Sequence, residues 1–343
     1  MKVSIIINNF NYARFVESAV ESALGQTYPN CEVIVVDDGS TDGSRQLLER
    51  FTGRAQVILK ANGGQASAMN AGLNAATGDL IAFLDSDDAL FPYAIETAVN
   101  AWHPGAAKVQ FPLEILDQDD QATGLRMPRE ALSEGSLMTE FLETGRYITS
   151  PTSGNLFSRE FLNRIFPIPE SEWRETGDGY LNTCAPFYGK IAALAEPLGF
   201  YRIHGTSMSS VAHGGGVHLA QMQKLMRHAT AEKALIRKLA DERGLSVSQR
   251  AVFSHWMHLK LKISLDRLTR PAGVRRLKLL LESACDMAVS VVRSQELTRL
   301  RKAQHVIWAF AVATLPSGQA TKAIEYAFDR APSSRLSRLL RRL

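Results

Sequence analysis

Short apolar runs of strand length alternate, through the first hundred residues, with stretches in which apolar residues recur at helical spacing. Residues 3–7 are β-branched and predict a buried strand. After the polar NNFNY bend, Phe15, Val16, Ala19, Val20, Ala23 and Leu24 fall three and four apart until Gly25 stops them, which predicts a helix. Residues 32–36 predict a second strand. It ends in DDGSTDGS, where Ser40, Thr41 and Asp42 are suitable caps for a helix through Leu47, Leu48 and Phe51. Residues 56–60 predict a third strand, the Gly63-Gly64 pair a turn, and residues 65–76 a helix closed by Gly78. The run LIAFL at 80–84 has no polar alternation and predicts a strand buried on both faces. Strands alternating with helices in this way imply an α/β fold with a mostly parallel sheet covered on both faces.

Parallel sheets bind ligands beyond the carboxyl ends of their strands, and the unusual polar residues of this chain fall there. Residues 8–11 follow the first strand, Asp37 and Asp38 the second, residues 62–65 the third, and Asp85, Asp87 and Asp88 the fourth. Like charges about 4 Å apart repel by about 1 kcal/mol even in water. The triplet therefore reads in two ways. Asp85 and Asp87 could be half of a site for Mg2+ or Mn2+, hard cations that bridge carboxylates to phosphates; or the triplet is an acidic loop with Asp88 capping the helix after Pro92.

Composition refines this picture. The 343 residues and 45% apolar content suit one large domain with an appendage. Residues 1–215 hold 15 basic against 26 acidic residues, a net of −11, and residues 216–343 hold 24 against 9, a net of +15. Two functional halves are expected, joined near the glycines at 214–216. The three cysteines, Cys31, Cys184 and Cys285, match no metal or redox spacing and suggest a reducing compartment. No window reaches the length of a membrane span, and the start of the chain lacks a signal-peptide core, so a cytoplasmic location is expected. No GxGxxG follows the first strand, which argues against a dinucleotide-binding protein.

The segments VSIIINNFNYARFVESAVESALGQTYPNCEVIVVDDGSTDGS and NGGQASAMNAGLNAATGDLIAFLDSDD resemble the nucleotide-sugar domain of the family 2 glycosyltransferases, which have the GT-A fold. The resemblance is dense over residues 2–100 and looser to about 210. It implies a catalytic domain over 1–215, with nucleotide-sugar binding in 1–105 and acceptor binding in 106–215, followed by a basic helical region over 216–343. It further implies inverting transfer from a nucleotide diphosphate sugar, usually a UDP-sugar, with Mg2+ or Mn2+ as cofactor. Position by position, Asn8 and Phe10 would line the base pocket, Asp38 would accept a hydrogen bond from the base, and Gly64 would lie along the donor. Asp85 and Asp87 would form the family's DxD, Asp85 near the ribose and Asp87 on the metal. Asn8 stands where the family usually has Pro, and Ala68 where it often has a basic residue.

Beyond residue 105, residues 108–116 and 124–127 predict a β-hairpin around DQDDQ, and TSPTSGNLFSRE resembles the family's strand and turn beneath the acceptor pocket. Transfer to a hydroxyl needs one general base. Asp178, in WRETGDGYLN, falls where the family carries it, at the start of a predicted helix whose positive end would favour the carboxylate; a simple helix cap is the other reading. YRIHGTSMS resembles the family's Tyr-Arg-x-His-x-x-Ser segment, in which His204 would be a further metal ligand and Arg202 would meet a phosphate or an acid. His255 and His258, a turn apart, lack a carboxylate partner and are expected in a core. The final SSRLSRLLRRL is basic and amphipathic, as expected of a contact with an anionic membrane or a partner helix. Aromatic residues are too sparse there for nucleic acid. The expected partners are thus a nucleotide-sugar donor and a cell-envelope glycan or lipid-linked acceptor. The competing readings are a nucleotidyltransferase, which would want a Gly- and Lys-rich loop after the first strand, and a nucleotide-sugar-binding module without chemistry.

Overall fold

The computed structural model describes residues 1–117, 120–203, 212–213, 216–217, 219–247, 256–293 and 297–328. The chain divides into two compact units. The first comprises Met1–Phe141, Arg146–His204 and Leu235–Leu245; the second comprises Leu142–Gly145, Gly205–Ala234 and Ser246–Leu343.

The first unit begins as the sequence predicts: β1 (Val3–Asn9), α1 (Val16–Leu24), β2 (Cys31–Asp37), α2 (Ser44–Glu49), β3 (Gln56–Leu59), α3 (Gln65–Ala75) and β4 (Leu80–Asp85). There follow β5 (Ala89–Leu90), α4 (Ala94–Ala101), β6 (Ala106–Gln110), β7 (Leu113–Leu116), β8 (Ala122–Met127), α5 (Met138–Thr144), β9 (Asn155–Ser158), α6 (Arg159–Ile165), α7 (Glu170–Trp173), α8 (Gly177–Tyr188), β10 (Lys190–Ala193) and β11 (Gly199–Arg202). Seven strands form the main sheet in the order β10-β6-β9-β4-β1-β2-β3. β1 pairs in parallel with both β2 and β4, and β9 is antiparallel to β4 and β6. This is the α/β, GT-A architecture. Ile5, Ile7, Val35, Ala82 and Leu84 on one sheet face pack with Val16, Ala19 and Val20 of α1. At roughly 25 cal/mol per Å2 of apolar surface removed from water, this core is the main term that fixes the sheet.

The sheet places every polar strand end on one edge. In register, Asn8 lies opposite Asp85 on β4, and Asn9 opposite Asp37 on β2. The hairpin is β7 with β8, in a second sheet of order β5-β11-β7-β8. Residues 108–110 belong instead to β6 of the main sheet. Pro112, which has no N–H to donate, separates the two strands and lets the chain leave one sheet for the other.

The second unit is helical, with Trp256–Thr269, Val274–Arg293, Arg299–Thr314 and Ser317–Phe328 as its longest stretches beside part of Leu219–Asp241. Its core gathers Met222, Ile263, Leu280, Met287, Val312 and Ile324. No helix among the described residues is long and apolar enough to cross a membrane. The basic stretch 333–343 and His255 lie outside the described residues.

Candidate active site

The chain where it leaves β2 and β4 carries acids of two kinds. Asp37 is fully buried and belongs to the framework. Asn9 Nδ2 donates to its Oδ2 at 2.9 Å, Arg45 Nε to its Oδ1 at 2.8 Å, and the Ser40 N–H to the same oxygen at 3.0 Å. Burial pulls its carboxyl upward, but these donors outweigh that and hold it below the usual carboxylate range. Asp38 fastens the next loop. Its carboxylate accepts from Lys60 Nζ at 2.7 Å and from the N–H groups of Gly63 and Gly64 at 2.9 and 2.6 Å.

Gly64 is required at its position. Its φ is +89°, and a Cβ there would lie 2.3 Å from the Arg174 carbonyl oxygen. The backbone of the Gly-Gly turn is thereby pressed against the segment that leads into α8.

Asn8 and Phe10 flank the mouth of β1. Phe10 is 44% exposed, an open ring face. Both carboxamide atoms of Asn8 are buried and have no hydrogen-bond partner. An unsatisfied buried amide costs about 1–3 kcal/mol, so such a group at a crevice is a ready contact for a ligand.

The triplet after β4 separates by role. Asp88, 2% exposed, accepts from Ser153 Oγ at 2.6 Å and from the Arg202 N–H at 3.1 Å, which ties β11 beneath the bend. It caps no helix; α4 begins after Tyr93 without a side-chain cap. Burial, then the charges of Asp87 and Asp85, push Asp88 well above the ordinary carboxyl range. Asp85 is pushed up to about 7 by burial first, then by the charges of Asp87 and Asp178. Arg202 is held within the protein: its Nε donates to the Asp87 carbonyl at 2.9 Å, its guanidinium lies 4.9 Å from the Phe15 ring centroid, and it pairs with Asp120.

Asp178 stands in the first turn of α8, one residue past its start, and Thr176 occupies the capping position. Two connections bring it to the acidic bend. Gln65 donates from Nε2 to Asp85 Oδ1 at 3.3 Å and accepts the Gly177 N–H on Oε1 at 2.9 Å. The Thr152 hydroxyl acts on both the Asp85 and the Asp178 carboxyls, lowering each, and its single proton is donated to one of them at a time. Burial raises Asp178 above the ordinary range, against the Gly179 N–H, the Thr152 hydroxyl and the positive charge of Lys108. A carboxylate so raised is a better proton acceptor near neutrality than one in water.

Sequence reading missed Gln65 and Thr152 as links, and Tyr12 as a neighbour of the triplet. The Tyr12 phenol is driven upward by burial, then by Asp87, Asp85 and Asp88, so it stays protonated beside them. Tyr12 sits within the NNFNY bend and Thr152 within TSPTSGN, both visible as polar segments but not separable from ordinary turns.

His204 lies outside the described residues. Among the described residues, no group of three or more His, Cys, Asp or Glu has the arrangement of a metal site. The Asp85–Asp87 pair nevertheless fits a hard divalent cation: oxygen donors, mutual repulsion that raises Asp85, and a position at the crevice mouth.

Comparison with known proteins supplies the family. Residues 4–166 match the model of glycosyl transferase family 2. An uncharacterized glycosyltransferase of Nostoc sp. is 40% identical over 213 residues, which are 60% of this chain and 66% of that protein. A hyaluronan synthase of Pasteurella multocida is 43% identical over 225 residues, 64% of this chain and 21% of that longer protein. The chain thus spans less than two thirds of the length of either relative. The crystal structure of S. aureus TarS 1-349 in complex with UDP-GlcNAc has the same fold, with a TM-score of 0.53 and 16% identity, covering 95% of this chain and 90% of that one. Residues 4–166 of the chain form a glycosyl transferase family 2 region.

Proposed function

We propose that this chain transfers a sugar, with inversion, from a nucleotide diphosphate sugar, by preference a UDP-sugar, to a hydroxyl of a cell-envelope glycan or lipid-linked acceptor. The observation that carries the reading is the meeting of Asp178 with Asp85 through Thr152 and Gln65, which joins a proton acceptor to the acidic bend that ends β4. The family relationship and the hyaluronan synthase relative support a glycan product, and the UDP-GlcNAc complex of a similar fold supports the donor class.

In this reading Asn8 and Phe10 hold the base, Asn8 with its unsatisfied amide and Phe10 with its open ring. Asp38 acts at the base edge and, through Gly63 and Gly64, shapes the loop beside the donor. Asp85 meets the ribose. Asp87 and His204 would hold a Mg2+ or Mn2+ ion, which would supply positive charge against the diphosphate of the donor. Asp178 takes the proton of the acceptor hydroxyl. The acceptor oxygen forms a bond to the anomeric carbon as the bond to the diphosphate oxygen breaks, and the electron pair leaves with the nucleoside diphosphate. One base suffices because no covalent sugar intermediate forms.

The test is a thermal-shift panel of UDP-Glc, UDP-Gal, UDP-GlcNAc and GDP-Man with and without Mn2+, followed by nucleotide release from whichever is bound. The true donor stabilises by RT ln(1 + [L]/Kd), about 2.7 kcal/mol at a hundredfold excess over Kd. Asp87→Ala should abolish the Mn2+-dependent part of that shift. Asp178→Asn should leave the shift intact and lower turnover by about a hundredfold to ten-thousandfold. Normal turnover in Asp178→Asn would remove the base assignment.

A further inference from the structure

One buried charge in the first unit is unused by this mechanism. Lys108 on β6 is fully buried, and its Nζ donates to three oxygens, Thr149 Oγ1, Asn155 Oδ1 and Asn182 Oδ1, each at 2.7 Å. Three acceptors match the three donors of an ammonium. The rings of Tyr147 and Phe157 lie 5.3 and 5.8 Å away, within the range of cation–π attraction. Burial lowers the Lys108 ammonium well below the ordinary lysine range, and the charge of Asp178 opposes that. An isolated buried ammonium costs several kcal/mol, so a core position filled by Lys in place of an apolar residue calls for a reason.

The geometry points to one. Asn182 lies four residues after Asp178 in α8, so the two side chains share a helix face one turn apart. The residues that hold Lys108 come from that face and from the 149–155 segment. The same segment supplies Thr152, whose hydroxyl acts to lower the Asp178 carboxyl. Lys108 therefore ties together the two pieces of chain that carry the base and its neighbour Thr152, while placing a positive charge where it acts on a carboxylate.

We propose that Lys108 is a positioning residue for Asp178: its buried ammonium, clamped by Thr149, Asn155 and Asn182, holds α8 and the 149–155 segment in place and sets a positive charge against the carboxylate of the base. The proposal rests on Asp178 being the base. The groups that face Asp178 are the Asp85 carboxylate from β4, the Lys108 ammonium from β6, the Thr152 hydroxyl and the Gly179 N–H. Asp85 and burial act against ionisation. Lys108 is the opposing cation among these groups.

The test compares wild type, Lys108→Met, Asn182→Ala and Asp178→Asn, using the panel sugar that is turned over. Met is unbranched like Lys, one atom shorter, and removes the charge. Loss of this opposite charge raises the Asp178 carboxyl. The acid limb of the kcat–pH profile should then move up by about one pH unit, which is about a tenfold loss of kcat below the limb. KM for the donor and UDP affinity with Mn2+ should stay within about twofold, because Lys108 touches no donor group. Asn182→Ala keeps the ammonium but loosens its link to α8; kcat should fall about threefold with the acid limb nearly in place, and this arm also tests the proposal should Lys108→Met fail to fold. An acid limb that does not move in a folded Lys108→Met, or a loss that falls on donor KM, would overturn the role, as would unchanged kcat in Asn182→Ala. If instead Asp178→Asn turns over normally, or no panel sugar is turned over, the base assignment or the proposed activity fails, independently of Lys108.

Discussion

Replacing Asp85 by Asn should make the free protein more stable at neutral pH, and the gain can be worked from the site. The Asp85 carboxyl is raised to about 7 in the folded protein by burial and by the charges of Asp87 and Asp178, against about 3.9 in an unfolded chain. Between these values the folded state binds the proton that the unfolded state has lost, so stability falls as pH rises from about 4 to about 7. Three units at 1.36 kcal/mol each give an upper bound of about 4 kcal/mol, and partial exposure of the residue reduces the expected figure to about 2–3 kcal/mol. Asn keeps an acceptor for Gln65 and Thr152 but cannot ionise. Asp85→Asn should therefore match wild type near pH 4 and exceed it by about 2 kcal/mol at pH 8, with a flatter pH dependence. The helical second unit must not confuse the reading. Hydrogen exchange of the β1 and β4 amides along a urea titration reports the first unit alone. Mn2+ should stabilise wild type more at pH 8 than at pH 5, and Asp85→Asn less at both. A variant that is destabilised equally at both pH values would refute the reasoning, because Asp85 would then be held by its hydrogen bonds and not strained by its neighbours.

Two further substitutions probe the loop that Asp38 fastens. Asp38→Ala removes the acceptor for Lys60 Nζ and for two half-buried N–H groups; a loss of about 2–3 kcal/mol is expected in urea unfolding, and a loss below 1 kcal/mol would mean the loop is held by other contacts. Gly64→Ala places a Cβ 2.3 Å from the Arg174 carbonyl at a φ of +89°; about 2–4 kcal/mol of destabilisation is expected from the strained backbone and overpacking. Donor affinity should fall with it, and wild-type donor binding in a folded Gly64→Ala protein would separate the loop from the site.

The regular elements were legible because their signals are local. Apolar runs at 3–7, 32–36 and 80–84 need only the next strand to be buried, and the observed strands extend them by one or two polar residues into the crevice. What periodicity could not show was the partner of each polar residue. Lys108 was read as part of a hairpin because no local signal tells an edge strand from a central one; its three acceptors come from Thr149, Asn155 and Asn182, distant in sequence. The cap expected among Ser40, Thr41 and Asp42 is not formed: Gly43 takes the cap position without a side-chain cap, and Asp42 Oδ1 accepts from the Ser44 N–H at 3.1 Å and from the Ser44 hydroxyl at 2.6 Å just before the helix. Gln65 and Thr152 are ordinary turn residues until Asp85 and Asp178 are folded against them.

Partnership also explains why acids of the same motif can do different work. The Asp37 and Asp42 carboxylates are surrounded by donors and held below the usual range, so they order loops and have little left to offer a ligand. Asp85 and Asp178 are raised, sharing one threonine hydroxyl with each other and facing like charge across the bend. Asn8, in register with Asp85, has no partner for either amide atom. A fold selected for stability alone would exchange these groups for apolar ones or supply their missing donors. Their concentration at the carboxyl edge of β1 and β4 means that the strain is confined to the place where a cation and a ligand rich in hydrogen-bonding groups would relieve it. The repulsion that lowers the stability of the free protein is thus the interaction that a bound cation converts into affinity, and the pH dependence of stability and of metal binding should share Asp85 as their common origin.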